Sequence, residues 1–382
     1  MKTITDEGKA LKMENRRPAE VFPPGVFIEE ELEARGWSQL DFAEIIGRAP
    51  RLVNEIIGGK RGITPETATA IGEAFGTGAR IWLNLQTAYQ LSLVKDIDEG
   101  VAKRARLFTE APIKEMVRRH WIEPSNNVDV LGKRLSDFWG GKPQSLAHAA
   151  RKSTDYSAVS PSQLVWLVRV KRLAEGMIVD GTFSQKTFSA AMQELQKLAV
   201  EPEEVGKIPR VLSKAGIRFL VVEHLQSTRI DGVTLWLNEK SPVIAVSLRF
   251  DRIDSFWHTL MHEMGHVARQ DGMTGSPTID TDLVGNEAQL FESKPEAEQR
   301  ADEFAASSLV DQKRLDKFIA KVKPVYSHVR VAAFAKTIGV HPGIVVGQLH
   351  HRKEIRWDHS RQMLAKVRDI VTSTALTDGW GH

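Results

Sequence analysis

The chain has no cysteine in 382 residues. Disulfides, thiolate metal ligands and cysteine nucleophiles are therefore excluded together. Any metal must be held by histidine, aspartate or glutamate. No run of eighteen apolar residues occurs, so no membrane span is expected. The N-terminal stretch MKTITDEGKALKMENRR is polar and lacks the apolar core of a signal peptide. These absences fit a cytoplasmic protein with no membrane partner. A strong charge imbalance is missing too: the formal net charge is +3, too small to imply a nucleic-acid partner alone.

What is present is an ordinary globular composition, 42% hydrophobic and 26% charged, with length for two or three domains. Residues 1–22 read as a flexible tail, and Pro23-Pro24-Gly25 marks the first boundary. Residues 23–95 are compact and helical in pattern. Residues 96–205 read as a further helical, basic segment. Lys103, Arg104, Arg106, Lys142, Arg151, Lys152 and Arg172 are among its cations. Such a segment suits either a phosphate surface or a solvated helical face. Near Gly216 the pattern changes. Ile217–Val222, Gly232–Leu237 and Val243–Val246 read as strands of a small, mostly antiparallel sheet within a domain spanning 206–325. Residues 326–382 form a C-terminal helical unit and tail. The expected fold class is α+β.

Ser38 to Gly47 has the layout of the first half of a helix-turn-helix. Ser38 is a good N-cap, Gly47 a helix stop, and Pro50 suits the first turn of the next helix. Leu52, Val53, Ile56 and Ile57 form the buried side of that helix. Arg51 and Asn54 point outward toward base edges, with Arg48 before them, while Lys60 and Arg61 suit phosphates. Gln39 completes the candidate DNA contacts. With "SQLDFAEIIG" and "GGKRGITPETATAIGEAFGTGARIWLNLQTAYQL", Gly25–Leu91 resembles the HigA-type antitoxin branch of the phage-repressor helix-turn-helix family. Arg48 and Ala49 depart from that family, which usually has an apolar residue and a polar cap there.

The most telling five residues are His262-Glu263-Met264-Gly265-His266. Two histidines four apart share one helix face and can grip one Zn2+; the glutamate between them can act as general base. Arg252–Arg269 reads as the helix that carries them. A catalytic zinc needs a third protein ligand, and Glu298 on the next helix is the best candidate. Asp302, one turn on, suits the free nitrogen of a ligand histidine, with Asp254 as an alternative. His258 shares the face of His262. A donor for the oxyanion is sought among Tyr326, His328, His341, His350 and His351.

Through "HTLMHEMGHVA" and "EAEQRADEFAASSLV", Ile208–Leu309 resembles the ImmA/IrrE family of metallopeptidases. That resemblance implies a zincin-like fold, with His262, His266 and Glu298 as ligands and Glu263 as base. Many relatives carry a second glutamate where this chain has Arg300. A weaker echo lies downstream. Phe334–Val345 repeats the framework of Phe42–Val53, with Gly339 matching Gly47 and Pro342 matching Pro50. Gly343 and Val346 replace Arg51 and Asn54, which favours a structural or docking role there.

The expectation is a homodimeric regulator that binds operator DNA and carries a zinc endopeptidase cutting itself or a partner repressor. The alternative is a non-catalytic, HigA-like antitoxin whose peptidase-like domain only binds a cognate toxin or a signal.

Overall fold

The computed structural model describes residues 21–94, 100–140, 159–273, 278–281, 283 and 294–380. Most of the expected N-terminal tail, together with Lys142, Arg151 and Lys152, lies outside the described residues. The chain divides into two compact units, Met1–Val101 and Ala102–His382.

The first unit holds α1 (Pro24–Arg35), α2 (Gln39–Ile45), α3 (Pro50–Ile57), α4 (Pro65–Phe75) and α5 (Ala79–Leu93). Local chemistry sets the α2–α3 corner. The Ser38 hydroxyl accepts from the Asp41 N–H, and the Asp41 carboxylate accepts from the Ser38 N–H, a reciprocal cap. Gly47 turns the chain with φ 63°, a left-handed conformation costly for any other residue. Pro50 then opens α3, where its absent N–H is not needed. Ile28, Phe42, Val53, Ile56, Ile71 and Trp82 fill the core, and Phe42 stacks on Phe75 at 4.8 Å.

The second unit begins with α6 (Gly100–Glu110), α7 (Ile113–Arg118), α8 (Val128–Phe138) and α9 (Pro161–Glu175). There follow α10 (Gln185–Leu198), a 3-10 turn at Pro202–Lys207 and α11 (Ile208–Lys214). The strands β1 (Arg218–Val221), β2 (Ile230–Trp236) and β3 (Pro242–Val246) lead into α12 (Ile253–Arg269) and β4 (Thr278–Thr281). The remainder is α13 (Glu296–Leu309), α14 (Gln312–Val322), α15 (His328–Ile338), α16 (Pro342–His351), α17 (Arg368–Thr372) and β5 (Leu376–Thr377). No single helix among the described residues is long and apolar enough to cross a membrane.

The sheet order is β4-β2-β3-β1-β5. β2 is antiparallel to β3 and β4, whereas β1 is parallel to both β3 and β5. The sheet is thus mixed, not mostly antiparallel as the short links suggested. The reason is that the β1–β2 link skips a position. β3 enters the gap and runs parallel to β1, and a C-terminal strand adds the far edge.

Both faces of the sheet are covered, so its strands read as continuous apolar runs. Leu220, Val233, Val243 and Ala245 face a core built with Trp166, Leu135 and Met116 from α7 to α9. Phe219, Val221, Ile244 and Val246 face the opposite core, which includes Trp257 and Leu260 of α12 and Val345 of α16. Many cations of the basic segment are used within this architecture. Arg119 is buried and donates to the carbonyls of Glu223 and His224, and Arg134 donates to those of Glu123 and Pro124.

The downstream echo is a helix pair as well. α15 and α16 meet at 109° around a left-handed Gly339. Its second helix is packed inward, however. A Cβ at Gly347 would lie 2.6 Å from the Asp254 Cβ of α12, and Ile344, Val345, Val346 and Leu349 are buried. The face that would read DNA is spent on the core.

Candidate metal centre and DNA-reading helix

The candidate metal centre is assembled on α12. This helix is buried along nearly its whole length, its polar His262, Glu263 and His266 included. Gln270 ends it in a left-handed conformation, its N–H returning to the His266 and Val267 carbonyls. The four-residue spacing puts His262 and His266 on one face, with Nε2 atoms 3.1 Å apart. α13 packs closely across Gly265, where a Cβ would lie 3.3 Å from Ala301 Cα. That approach brings Glu298 Oε2 to 3.1 Å from His262 Nε2 and 3.6 Å from His266 Nε2.

A fourth group comes from β4, which the sequence did not single out. Asp280 Oδ1 lies 3.4 Å from His262 Nε2, and its Oδ2 lies 3.7 Å from His266 Nε2. The ligand atoms of His262, His266, Asp280 and Glu298 all fall within 4.8 Å of one another, and all four residues are buried. Tetrahedral zinc with bonds of about 2.0–2.1 Å sets neighbouring ligand atoms about 3.3 Å apart, which matches this spacing.

The remaining ring nitrogens are held from outside. His262 Nδ1 pairs with Asp302 Oδ1 at 2.9 Å, the partner expected for it. His266 Nδ1 pairs with Asp271 Oδ2 at 3.0 Å. Each carboxylate fixes a ring so that Nε2 faces the centre. Lys294 Nζ in turn holds Asp302 Oδ2 at 2.6 Å. Asp254 instead pairs with Arg252 at 2.7 Å, and Arg300 pairs with Glu296 on the exposed side of α13.

Glu263 is fully buried beside the ligands. Thr234 of β2 donates its hydroxyl to Glu263 Oε2 at 2.6 Å. Among the described residues the other oxygen, Oε1, has no hydrogen-bond partner, and neither has Asp280 Oδ2. A Cβ at Gly232 would lie 2.1 Å from Glu263 Oε1, so only glycine leaves this carboxylate its place. Burial, then the Asp280 charge, pushes the Glu263 carboxyl well above its usual range.

The field at the centre is strongly negative. Burial alone would lower both imidazoles. At His262 the Asp280 charge and the bonds from Asp280, Asp302 and Glu298 outweigh it and hold the ring well above its usual value. At His266 the bonds from Asp271 and Glu298 and the Asp280 charge do the same, to about 10. A pocket that holds imidazoles charged against burial is one that stabilises a dication. Together with two orphaned buried carboxylate oxygens and the ligand spacing, the residues fit zinc.

Next to the centre is a cavity lined by Trp257, His258, Asp302, Gln348, His351 and Trp357 among others. Burial lowers His258 to about 3. Of the oxyanion candidates, His351 alone lines this cavity, 6.3 Å from His258 between ring centroids. Tyr326 bonds Glu354, His328 meets Gln362, His341 caps α16, and His350 meets the His359 carbonyl.

In the first unit, Arg48, Arg51, Asn54, Lys60 and Arg61 are exposed and Gln39 is half-exposed. Arg51 and Asn54 lie on the outer side of α3, opposite the buried Val53 and Ile56. Glu55 ties two of these cations together, 2.9 Å from Arg51 and 3.4 Å from Arg61. That bridge orients the arginines at the edge of α3.

A helix-turn-helix family model matches residues 28–82. The chain belongs to that helix-turn-helix family. The "Virulence-associated protein I" of Dichelobacter nodosus is 35% identical over 97 residues, covering 25% of this chain and 89% of that protein. The "Uncharacterized HTH-type transcriptional regulator YddM" of Escherichia coli is 34% identical, covering 23% of this chain and 92% of its own length. A solved structure from Nostoc punctiforme, described as a candidate antidote protein of a plasmid maintenance system, is 38% identical. It covers 19% of this chain and 78% of its own, with a TM-score of 0.18.

Proposed function

We propose that this chain is a DNA-binding transcriptional regulator whose second unit is a zinc-dependent endopeptidase of the ImmA/IrrE type. The observation that carries the enzymatic half is the convergence of His262, His266 and Glu298 beside a buried Glu263 whose Oε1 has no hydrogen-bond partner among the described residues. The regulatory half is supported by the exposed Arg51 and Asn54 on α3 and by the helix-turn-helix family match. Paired half-sites on operator DNA would call for a homodimer.

When bound, zinc supplies a Lewis acid that makes water a nucleophile near neutral pH and polarises the scissile carbonyl. Glu263 Oε1 takes the proton of the attacking water and passes it to the leaving amine. Thr234 holds Oε2, so one carboxylate oxygen is fixed and the other serves the reaction. Asp302 and Asp271 keep both rings oriented throughout. The substrate is a protein segment, of this chain or of a partner repressor, added as a strand to the sheet.

The test is cleavage of an unstructured protein such as casein by zinc-loaded chain. Cleavage that Glu263→Gln abolishes, with zinc still bound, supports the reading; cleavage that survives this change rejects it. A second reading has its own observation. Four buried protein ligands describe a closed structural site, as a non-catalytic, HigA-like antitoxin would carry. Such a chain would bind zinc, operator DNA and a cognate toxin, and would cut nothing.

A further inference from the structure

A hydrolytic zinc needs a position open to water, and here a second carboxylate stands in it as the fourth ligand. We propose that Asp280 is a displaceable fourth metal ligand that closes the centre in the resting chain, carried by a strand lying where a peptide substrate would bind. This rests on the zinc-peptidase reading.

The strand against the Glu263 side chain is β2. Its residue Thr234 bonds Glu263, and its residue Gly232 makes room for that side chain. A peptide joining the sheet beside the centre would pair with the outer edge of β2. β4 already occupies that edge, antiparallel, with Thr234 opposite Thr278 and Gly232 opposite Asp280. Directly opposed residues share a face, so Asp280 projects past the bare Gly232 toward Glu263 and the two histidines. Its carboxylate is 3% exposed, and among the described residues its Oδ2 has no hydrogen-bond partner, only the His266 ring at 3.7 Å. A buried, half-satisfied carboxylate is costly unless a cation completes it.

Beyond its ladder with β2, the strand is fastened by a side-chain contact among the described residues. The Leu283 N–H donates to Asp231 Oδ2 at 2.8 Å, and Arg249 grips Asp231 at 2.9 and 3.2 Å. Asp231 is itself on β2, so the fastening sits at the end of the paired segment. Release of β4 removes one carboxylate, frees the edge of β2 and lets a water take the carboxylate's place. The exchange moves no proton and no electron. The regulator is thus a latent peptidase, opened by whatever detaches β4.

The experiment uses the full chain loaded with Co2+, whose visible spectrum reports coordination, titrated with acetohydroxamate as a small metal-binding probe. Wild type is expected to respond about tenfold more weakly than Asp280→Asn or Asp280→Ala, because the ligand competes for the same position. Asp231→Asn keeps all four ligands and should shift the response in the same direction. His262→Ala should lose the Co2+ spectrum. Equal response in wild type and both Asp280 variants overturns the proposal. So does loss of Co2+ from both variants, which would make Asp280 an indispensable structural ligand. If the Asp280 variants open the centre and still show no Glu263-dependent cleavage, the ligand assignment stands and the peptidase reading falls.

Discussion

Replacing Gly232 by alanine adds one methyl group where the structure has least room for it. The new Cβ would sit 2.1 Å from Glu263 Oε1 and 3.0 Å from Thr259 Cγ2. The least costly response is for the Glu263 carboxylate to swing away. That breaks its 2.6 Å bond with Thr234, whose hydroxyl keeps only the Glu263 backbone carbonyl at 3.2 Å, and leaves the carboxylate buried without that donor. Either response, the overlap endured or the buried hydrogen bond lost to relieve it, costs about 1–3 kcal/mol, so the variant should lose about 2 kcal/mol of stability. The four ligand side chains keep their attachments, so zinc stoichiometry should not change. The decisive assay is a double-mutant cycle in urea unfolding. Glu263→Ala removes the obstructing carboxylate, so the alanine at 232 should cost far less in that background, with a coupling of about 1–2 kcal/mol. Additivity within about 0.5 kcal/mol would refute the contact and the role of Gly232 in seating the base.

Three further outcomes follow from the same geometry. Asp302→Asn and Asp271→Asn each free one ligand imidazole, and each should weaken zinc binding about 10–100-fold in a competition titration, with the fold intact. Arg51→Ala and Asn54→Ala should each weaken operator binding by about 1–3 kcal/mol, whereas Lys60→Ala should weaken all DNA alike and flatten the salt dependence. Burial holds His258 at about 3 against its usual 6.5, so its neutral form is favoured by folding. Stability should therefore fall as pH drops from 6.5 toward 3, and His258→Gln should flatten that part of a urea-midpoint against pH profile.

Periodicity and caps made much of this molecule legible. Ser38, Gly47 and Pro50 are local signals whose effect reaches only a few residues, and the structure shows the helix-turn-helix corner they imply. The pair His262 and His266 is likewise local, because helical geometry alone sets their shared face. Glu298 and Asp302 were readable as a second helix bearing two acids one turn apart. What escaped depends on pairing over distance. Asp280 reaches His262 and His266 only because β4 pairs with β2, and no spacing rule connects residue 280 to residue 262. Asp271 was closer to hand, five residues beyond His266 just past the helix end. The sheet's mixed direction was hidden for the same reason: the insertion of β3 between β2 and β1 is a matter of topology, and short links read as hairpins. The echo at Phe334–Val345 was visible as a pattern, while its burial against α12 shows in the close approach of Gly347 to Asp254.

The central claim is that one zinc sits among His262, His266, Glu298 and Asp280, and the most direct test is X-ray absorption on the purified chain with metal analysis of the same sample. The account predicts one zinc per chain, surrounded by two imidazole nitrogens and carboxylate oxygens at about 2.0–2.2 Å and no sulfur, with the metal lost in a folded His266→Ala variant. A chain that purifies and refolds without zinc, or that keeps it when His266 is gone, would contradict the account.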